Sequence, residues 1–269
     1  MPVVPYTELP PPADLRAIVA CTWVAHAGSD TAAPAPIVPD ACADVVVIGD
    51  AAPHVAGPAT RTHVVRVPAS TTVVGIRFRP GAARAVFGCD APELRDADPE
   101  LRAVCGASTS VLDAELTAAS TTDAMRTALE RWTRRRLGAR IVRDEIVLRA
   151  ANALVADHRL SVDALGAMLG WSPRRLHREM TGTCGYGAKT LQRIIRLQRT
   201  LRLARQRALA QRRPTLAMLA LDAGYADQAH MTREFRDLTG FTPRELLAHT
   251  HADVGRWLDA TVLAPTAGA

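Results

Sequence analysis

Six side chains in the C-terminal half carry groups suited to reading base edges. They are Arg174, His177 and Arg178, then Gln228, Thr232 and Arg233. An arginine offers two parallel N–H donors that match O6 and N7 of guanine, and a glutamine offers the donor–acceptor pair that matches adenine. Arg175, Lys189, Arg193, Arg196 and Arg236 lie nearby and suit phosphate oxygens or open solvent. Each base-reading candidate has a phosphate contact or a solvated side chain as its alternative role, and His230 fits either.

These residues belong to a pattern that occurs twice. The first copy is "LSVDALGAMLGWSPRRLHREMTGTCGYGAKTL", Leu160 to Leu191, and the second is "PTLAMLALDAGYADQAHMTREFRDLTGFTPREL", Pro214 to Leu246. Val162, Leu165 and Gly170 match Leu216, Leu219 and Gly224 at a shift of 54; Leu176, Glu179, Met180, Gly185 and Tyr186 match Met231, Glu234, Phe235, Gly240 and Phe241 at a shift of 55. Each copy predicts a helix, a glycine–aromatic turn and a second helix. The glycine admits the positive φ of a tight turn, and the aromatic (Trp171, Tyr225) fills the angle between the helices. In each second helix the apolar residues fall four apart and pack down, leaving the polar stripe outward. That arrangement is a helix-turn-helix reader. "AKTLQRIIRLQRTLRLARQRAL", Ala188–Leu209, predicts one long helix between the copies.

"ALDAGYADQAHMTREFRDLTGFTPREL" resembles the signature of the AraC/XylS-type transcriptional regulators. The matching residues are Gly224, Tyr225, Asp227, Gln228, Met231, Arg233, Phe235, Arg236, Gly240, Thr242 and Pro243. With the upstream copy the resemblance covers roughly Ile141 to Thr250. It implies two helix-turn-helix units on one linking helix. The chain departs from the pattern at three places. Gly187-Ala188 stands where Ser-Pro usually precedes the linking helix, which predicts a looser exit from the first unit. Ala226 stands where a serine usually heads the second recognition helix, which predicts a lost hydroxyl cap. Met231 replaces the commoner Phe. Thr242, Pro243 and Glu245 spell a capping box that starts a final helix.

The first 80 residues read differently. "ADVVVIGD" (Ala43–Asp50), "RTHVVRVP" (Arg61–Pro68) and "TTVVGIRFRPGA" (Thr71–Ala82) predict strands separated by turn residues. In the third, Val74, Ile76 and Phe78 form a buried face, while Val73, Gly75, Arg77 and Arg79 form a wetter one. "AARAVFG" and the stretch from Ser108 to Gly138 predict helices that close this part. "VPDACADVVVIG" and "VVGIRFRPGAARAVFG" loosely resemble the sensor domains of an actinobacterial-type subset of the same family, which are similar to small cupin-like barrels.

Charge follows the same division. From Gly138 to His251 there are 19 basic and 10 acidic residues, a net of +9, against +6 for the whole 269-residue chain, so the remainder is −3. Lys189 is the sole lysine. Codon bias explains the preference for arginine but not the asymmetry, which suits a polyanion partner. No apolar run is long enough to span a membrane, and the N-terminus lacks the basic-then-apolar order of a secretory signal. Five scattered cysteines without CxxC suit reduced thiols in the cytoplasm. His54, His63 and Cys42 lack metal-ligand spacing, and a thiol or metal sensor built from Cys21, Cys42 and Cys89 stays open. No nucleophile elbow, phosphate loop or dinucleotide fingerprint occurs.

The expected fold is α+β: an N-terminal β-rich, barrel- or cupin-like domain with closing helices over 1–137, then an all-α domain over 138–251 with units at 160–191 and 214–246 joined by a long helix, and a loose tail over 252–269. The expected function is a cytoplasmic, sequence-specific transcriptional regulator rather than an enzyme, with neither metal nor cofactor. Its expected partners are double-stranded DNA, a small-molecule effector at the N-terminal domain, RNA polymerase and a second copy of the chain, with no membrane. The alternative is a ligand-binding or protein-interaction module whose helical domain contacts another protein.

Overall fold

The computed structural model describes residues 6–28, 35–65, 67–137, 141–157, 159–210 and 214–252. The expected tail falls almost wholly outside them. The N-terminal strands are β1 (Tyr6–Leu9), β2 (Val19–His26), β3 (Ala35–Ile37), β4 (Ala43–Ile48), β5 (His54–Ala56), β6 (His63–Val65) and β7 (Thr72–Phe78). They pair as a five-stranded antiparallel sheet in the order β1-β2-β7-β4-β5 and a separate two-stranded ribbon, β3-β6.

Helices α1 (Ala83–Phe87), α2 (Leu101–Cys105), α3 (Ser110–Thr117) and α4 (Thr122–Leu137) follow. They cover one face of the sheet, where Val45, Val47, Val74, Ile76 and Phe78 pack with Phe87, Leu112, Leu129 and Trp132 in one buried cluster. Phe87 stands edge-on to Phe78 at 5.6 Å between centroids and lies 6.5 Å from Trp132. Large aromatic side chains of this kind dominate the apolar area a core removes from water.

The opposite face of β7 is not the wet one its composition predicts. Val73, Arg77 and Arg79 are all buried. Trp23, the register partner of Gly75 on β2, lies over that glycine so closely that a Cβ there would overlap the indole ring. Tyr6, Trp23, Val46 and Val73 make a second, smaller apolar cluster on this side. Two-sided burial replaces the alternation that a half-exposed strand would show.

The C-terminal part is all helix: α5 (Ile141–Ala156), α6 (Val162–Leu169), α7 (Pro173–Cys184), α8 (Ala188–Leu209), α9 (Leu216–Ala223), α10 (Gln228–Thr239) and α11 (Pro243–Ala252). Leu154, Leu165, Leu176, Met180, Leu191, Ile194, Met231, Phe235 and Leu246 share its core. Val38 and Ala41 of the N-terminal part are buried in that same cluster, and Leu148 of α5 joins the sheet core. Gln198 Nε2 donates to the Pro39 carbonyl at 2.6 Å, and the Thr62 amide donates to the Leu238 carbonyl at 3.1 Å. The two parts therefore meet in shared core as well as in hydrogen bonds.

Candidate nucleic-acid interface

Each unit is bounded by the same local chemistry. Ser161 caps α6 by accepting from the Ala164 amide at 3.0 Å, and Thr215 caps α9 by accepting from the Met218 amide at 3.2 Å. The turns follow at Gly170 (φ 63°) and Gly224 (φ 93°), left-handed positions that a Cβ would strain. Ser172 then caps α7, accepting from the Arg175 amide at 3.3 Å, with Pro173 at the first helical position. Asp227 caps α10, accepting from the His230 amide at 2.6 Å. The sequence reading placed the head of α10 at Ala226 and expected a lost cap. The cap is present one residue later, and a carboxylate at a helix N-terminus gains from the helix dipole as well. The Ala226 amide donates instead to His230 Nδ1 at 3.3 Å.

Packing fixes which face of each recognition helix is free. In α7, Leu176 and Met180 are buried while Arg174, Arg175, His177 and Arg178 are exposed. In α10, Met231, Phe235 and Leu238 are buried while Gln228, Arg233 and Arg236 are exposed. Among the described residues, Arg174, Arg233 and Arg236 have no carboxylate within ion-pair distance. Arg178 holds its own neighbour, Glu179, at 2.7 Å, but that pair is largely solvated and easily exchanged for another anion. Arg175 lies over the Trp171 ring, 4.7 Å from its centroid. Thr232 is half-buried and turns its hydroxyl back to the Gln228 carbonyl at 2.8 Å. The His177 ring sits against Gly187, where a Cβ would overlap it. These last two side chains are partly committed inside the fold.

Two of the arginines that the sequence offers to phosphates have carboxylate partners inside the fold. Glu234, nearly buried, receives Arg196 at 2.7 Å and Arg193 at 3.4 Å, and lies 3.3 Å from His230. Arg193 also holds Asp237 at 2.8 Å, and the Arg196 guanidinium lies 5.5 Å from the Tyr225 ring centroid. This network ties α10 to α8. Sequence placed Arg193 and Arg196 on the polar side of a long helix, but the carboxylates that claim them lie about forty residues away. Lys189 and Arg236 remain exposed. The 22 residues of α8 span about 33 Å at 1.5 Å per residue, close to the roughly 34 Å between successive major grooves on one side of B-DNA.

The exits of the units also differ. At the second, the Thr242 amide donates to Glu245 Oε2 at 2.7 Å and the Glu245 amide donates to Thr242 Oγ1 at 3.2 Å, the expected capping box. At the first, Gly185, Tyr186, Gly187 and Ala188 are buried rather than loose. Arg95 Nη1 donates to the Gly185 carbonyl at 3.1 Å. Packing against the N-terminal part supplies the order that the missing Ser-Pro and capping box would have given.

A family model described as a helix-turn-helix domain matches residues 165–249. The chain carries an AraC-type helix-turn-helix domain. With this domain it is a DNA-binding transcription regulator. A second model, described as a domain of unknown function (DUF6597), matches residues 7–100. No curated protein matches the chain. Among solved structures the chain is similar to ToxT from Vibrio cholerae at 10% identity and a TM-score of 0.43, over 84% of this chain and 97% of that one. It is similar at 13% identity and a TM-score of 0.40 to unsaturated fatty acid-bound ToxT from Vibrio cholerae strain SCE256, over 82% of this chain and 92% of that one.

The AraC-type domain leaves the cysteines and histidines of the N-terminal part without an assigned task. Burial raises the pKa of Cys21 and Cys42, and that of Cys184 to about 12, which favours the protonated thiol near neutral pH. Among the described residues no group of three or more His, Cys, Asp and Glu could hold a metal ion. No described helix is long and apolar enough to cross a membrane.

Proposed function

We propose that the chain reads two adjacent major grooves on one side of its DNA, with α7 in one and α10 in the other. The observation that carries this reading is the pair of capped helices whose outward stripes hold exposed arginine and glutamine, with Arg174 and Arg233 clear of any carboxylate among the described residues. Arg174 and Arg178 of α7, and Gln228 and Arg233 of α10, make the base contacts. His177 and Thr232 flank them with their in-fold partners kept. Arg175, Lys189 and Arg236 meet phosphates, while Arg193 and Arg196 hold the frame. Residues 138–251 form the DNA-binding part, and residues 1–137 sense an effector or mediate pairing with a second copy. Contact with RNA polymerase and a cytoplasmic site of action come with the family resemblance.

A small-molecule effector in the N-terminal part is supported by a cavity of about 420 Å³ beside the sheet. Val38 and Asp40 line it, and the Pro39 carbonyl between them accepts the hydrogen bond from Gln198 of α8. Thr62 also lines it, and its amide donates to Leu238 of α10. A ligand that moves either wall acts directly on the frame that spaces the two recognition helices.

Selection of bound fragments from a random or genomic DNA pool tests the reading. The expected product is a site with two contacted segments one helical turn apart, bound with a steep salt dependence from counterion release. Arg178→Ala and Arg233→Ala should each weaken binding to that site by about 1–3 kcal/mol and relax the preference at one position. Equal losses on selected and random DNA would make them backbone contacts. Failure to enrich any fragment, with no salt-dependent binding, would sink the reading and favour a protein partner.

A further inference from the structure

The cavity beside the sheet is lined by both apolar and charged residues. Ile37, Val38, Val46, Ile48, Val65 and Val73 supply apolar lining. Asp40, Asp44 and Arg77 form a charged cluster in it. Arg77 lies 3.1 Å from Asp44 and 3.5 Å from Asp40, and on its far side 3.5 Å from Glu8. Trp23 Nε1 donates to Asp44 Oδ2 at 2.9 Å. Among the described residues Arg77 is the only cation within ion-pair distance of Asp40 or Asp44. At the cavity one guanidinium therefore answers two carboxylates, Asp40 and Asp44.

The other charged residues of the lining do not make up the difference. His54 is held by Asp98 at 3.3 Å, while Asp96 accepts from the Thr60 amide and hydroxyl, both at 2.6 Å. Arg61 and His63 are exposed. Uncompensated negative charge beside an apolar wall is costly, and it is relieved by a partner that is both cationic and apolar. Burial raises the Asp44 carboxyl to about 6, Arg77 opposing and Asp40 adding to the rise, as expected where carboxylates outnumber their cation.

The geometry points to an effector that is a monovalent organic cation with an apolar body: a primary amine or a quaternary ammonium. The proposal rests on the effector reading above and names its chemical class. The cationic head neutralises the excess charge at Asp40 and Asp44, and the body covers the aliphatic lining. A carboxylate ligand of the same shape would add a further negative charge to a site already in excess. A neutral one would gain from the wall alone.

Calorimetric titration of the full chain tests this with four probes of similar size: benzyltrimethylammonium, 2-phenylethylamine, 3-phenylpropionate and 2-phenylethanol. At least one cation should bind ten or more times tighter than the carboxylate. Asp40→Asn, which keeps an oxygen to accept the Cys42 amide, should cut the cation's affinity on the order of tenfold and leave the alcohol unaffected. Carboxylate binding as tight as that of the cations overturns the proposal, as does the absence of binding by both cations. The wild-type comparison decides this by itself even if the variant does not fold. DNA binding is measured on the same protein. Cation binding without DNA binding removes the regulator reading, and DNA binding without cation binding removes only the effector class.

Discussion

The recognition helix of the first unit ends at Gly185, buried, with its carbonyl taken by Arg95 of the N-terminal part; that of the second ends at Gly240, exposed, and leads into a self-contained capping box. The same contrast holds at the paired glutamates. Among the described residues Glu179 pairs with just the adjacent, solvated Arg178, whereas its counterpart Glu234 is nearly buried and gathers Arg193, Arg196 and His230. One ancestral pattern is thus steadied in two ways. The second unit is held by the linking helix and its own caps, the first by the domain beside it. A signal that changes how the N-terminal part packs would reach the C-terminal turn of α7 through Arg95 and Gly185, and α10 through the hydrogen bond from Thr62 to Leu238.

The largest effect that tests the contrast is in the cores. Phe235 and Met180 are equivalent and both fully buried. Phe235→Ala should cost about 3–5 kcal/mol and Met180→Ala about 2–5, by urea unfolding followed through circular dichroism. Phe235 packs near the Tyr225 ring, 6.5 Å between centroids, and is the larger side chain, so its loss should be the greater. Met180→Ala costing more would place the weaker core in the second unit and reverse the comparison.

The ion pairs come next. Glu234→Ala leaves two half-exposed arginines without their shared carboxylate and should cost about 1–3 kcal/mol. Glu179→Ala should cost under about 0.5 kcal/mol, as exposed pairs do. Equal costs at the two sites would mean that the network around Glu234 adds nothing beyond a surface pair. Because Arg193 and Arg196 are freed in the first variant, its binding to random DNA should be unchanged or slightly tighter, not weaker.

This contrast marks the limit of what the sequence discloses. The bounds of α8, the paired turns at Gly170 and Gly224, the apolar stripes and the Thr242–Glu245 box are legible because helical period and capping are local chemistry. β4 and β7 are legible from their β-branched runs. β2 is not: "VACTWVAH" is buried on both sides and has no alternation to betray it. The buried Arg77 reads as a wet-face residue until Asp44, Asp40 and Glu8 are brought to it from other strands. The steadying of Gly185 by Arg95 joins residues 90 positions apart, and that of Pro39 by Gln198 joins residues 159 apart. No pattern of nearby residues encodes such contacts. The cap of α10 is local chemistry too, but it lies at Asp227, one residue after the position that the family pattern gives to serine.

A smaller effect separates the exits. Thr242→Ala removes the hydroxyl that accepts from the Glu245 amide and should cost about 1 kcal/mol, confined to α11. Amide exchange would show faster opening at the start of α11, with α7 unaffected. Faster exchange in α7 as well would tie the two exits together and deny that the second is self-contained.

The most local effect is the most pointed. Arg95→Ala removes one donor, itself exposed, from the Gly185 carbonyl, so its cost in global stability should be about 0.5–1.5 kcal/mol. Its signature is local. Amides at the end of α7 and over Gly185–Ala188 should exchange faster, because their order comes from the neighbouring domain and not from a cap of their own. Those at the end of α10 and over Gly240–Glu245 should keep their wild-type rates, because Thr242 and Glu245 hold them from within. If both stretches quicken together, the first unit is not singled out by its contact with the N-terminal part. If neither does, the packing of Tyr186 and Ala188 into the helical core suffices to order the exit, and the Arg95 hydrogen bond is incidental to it.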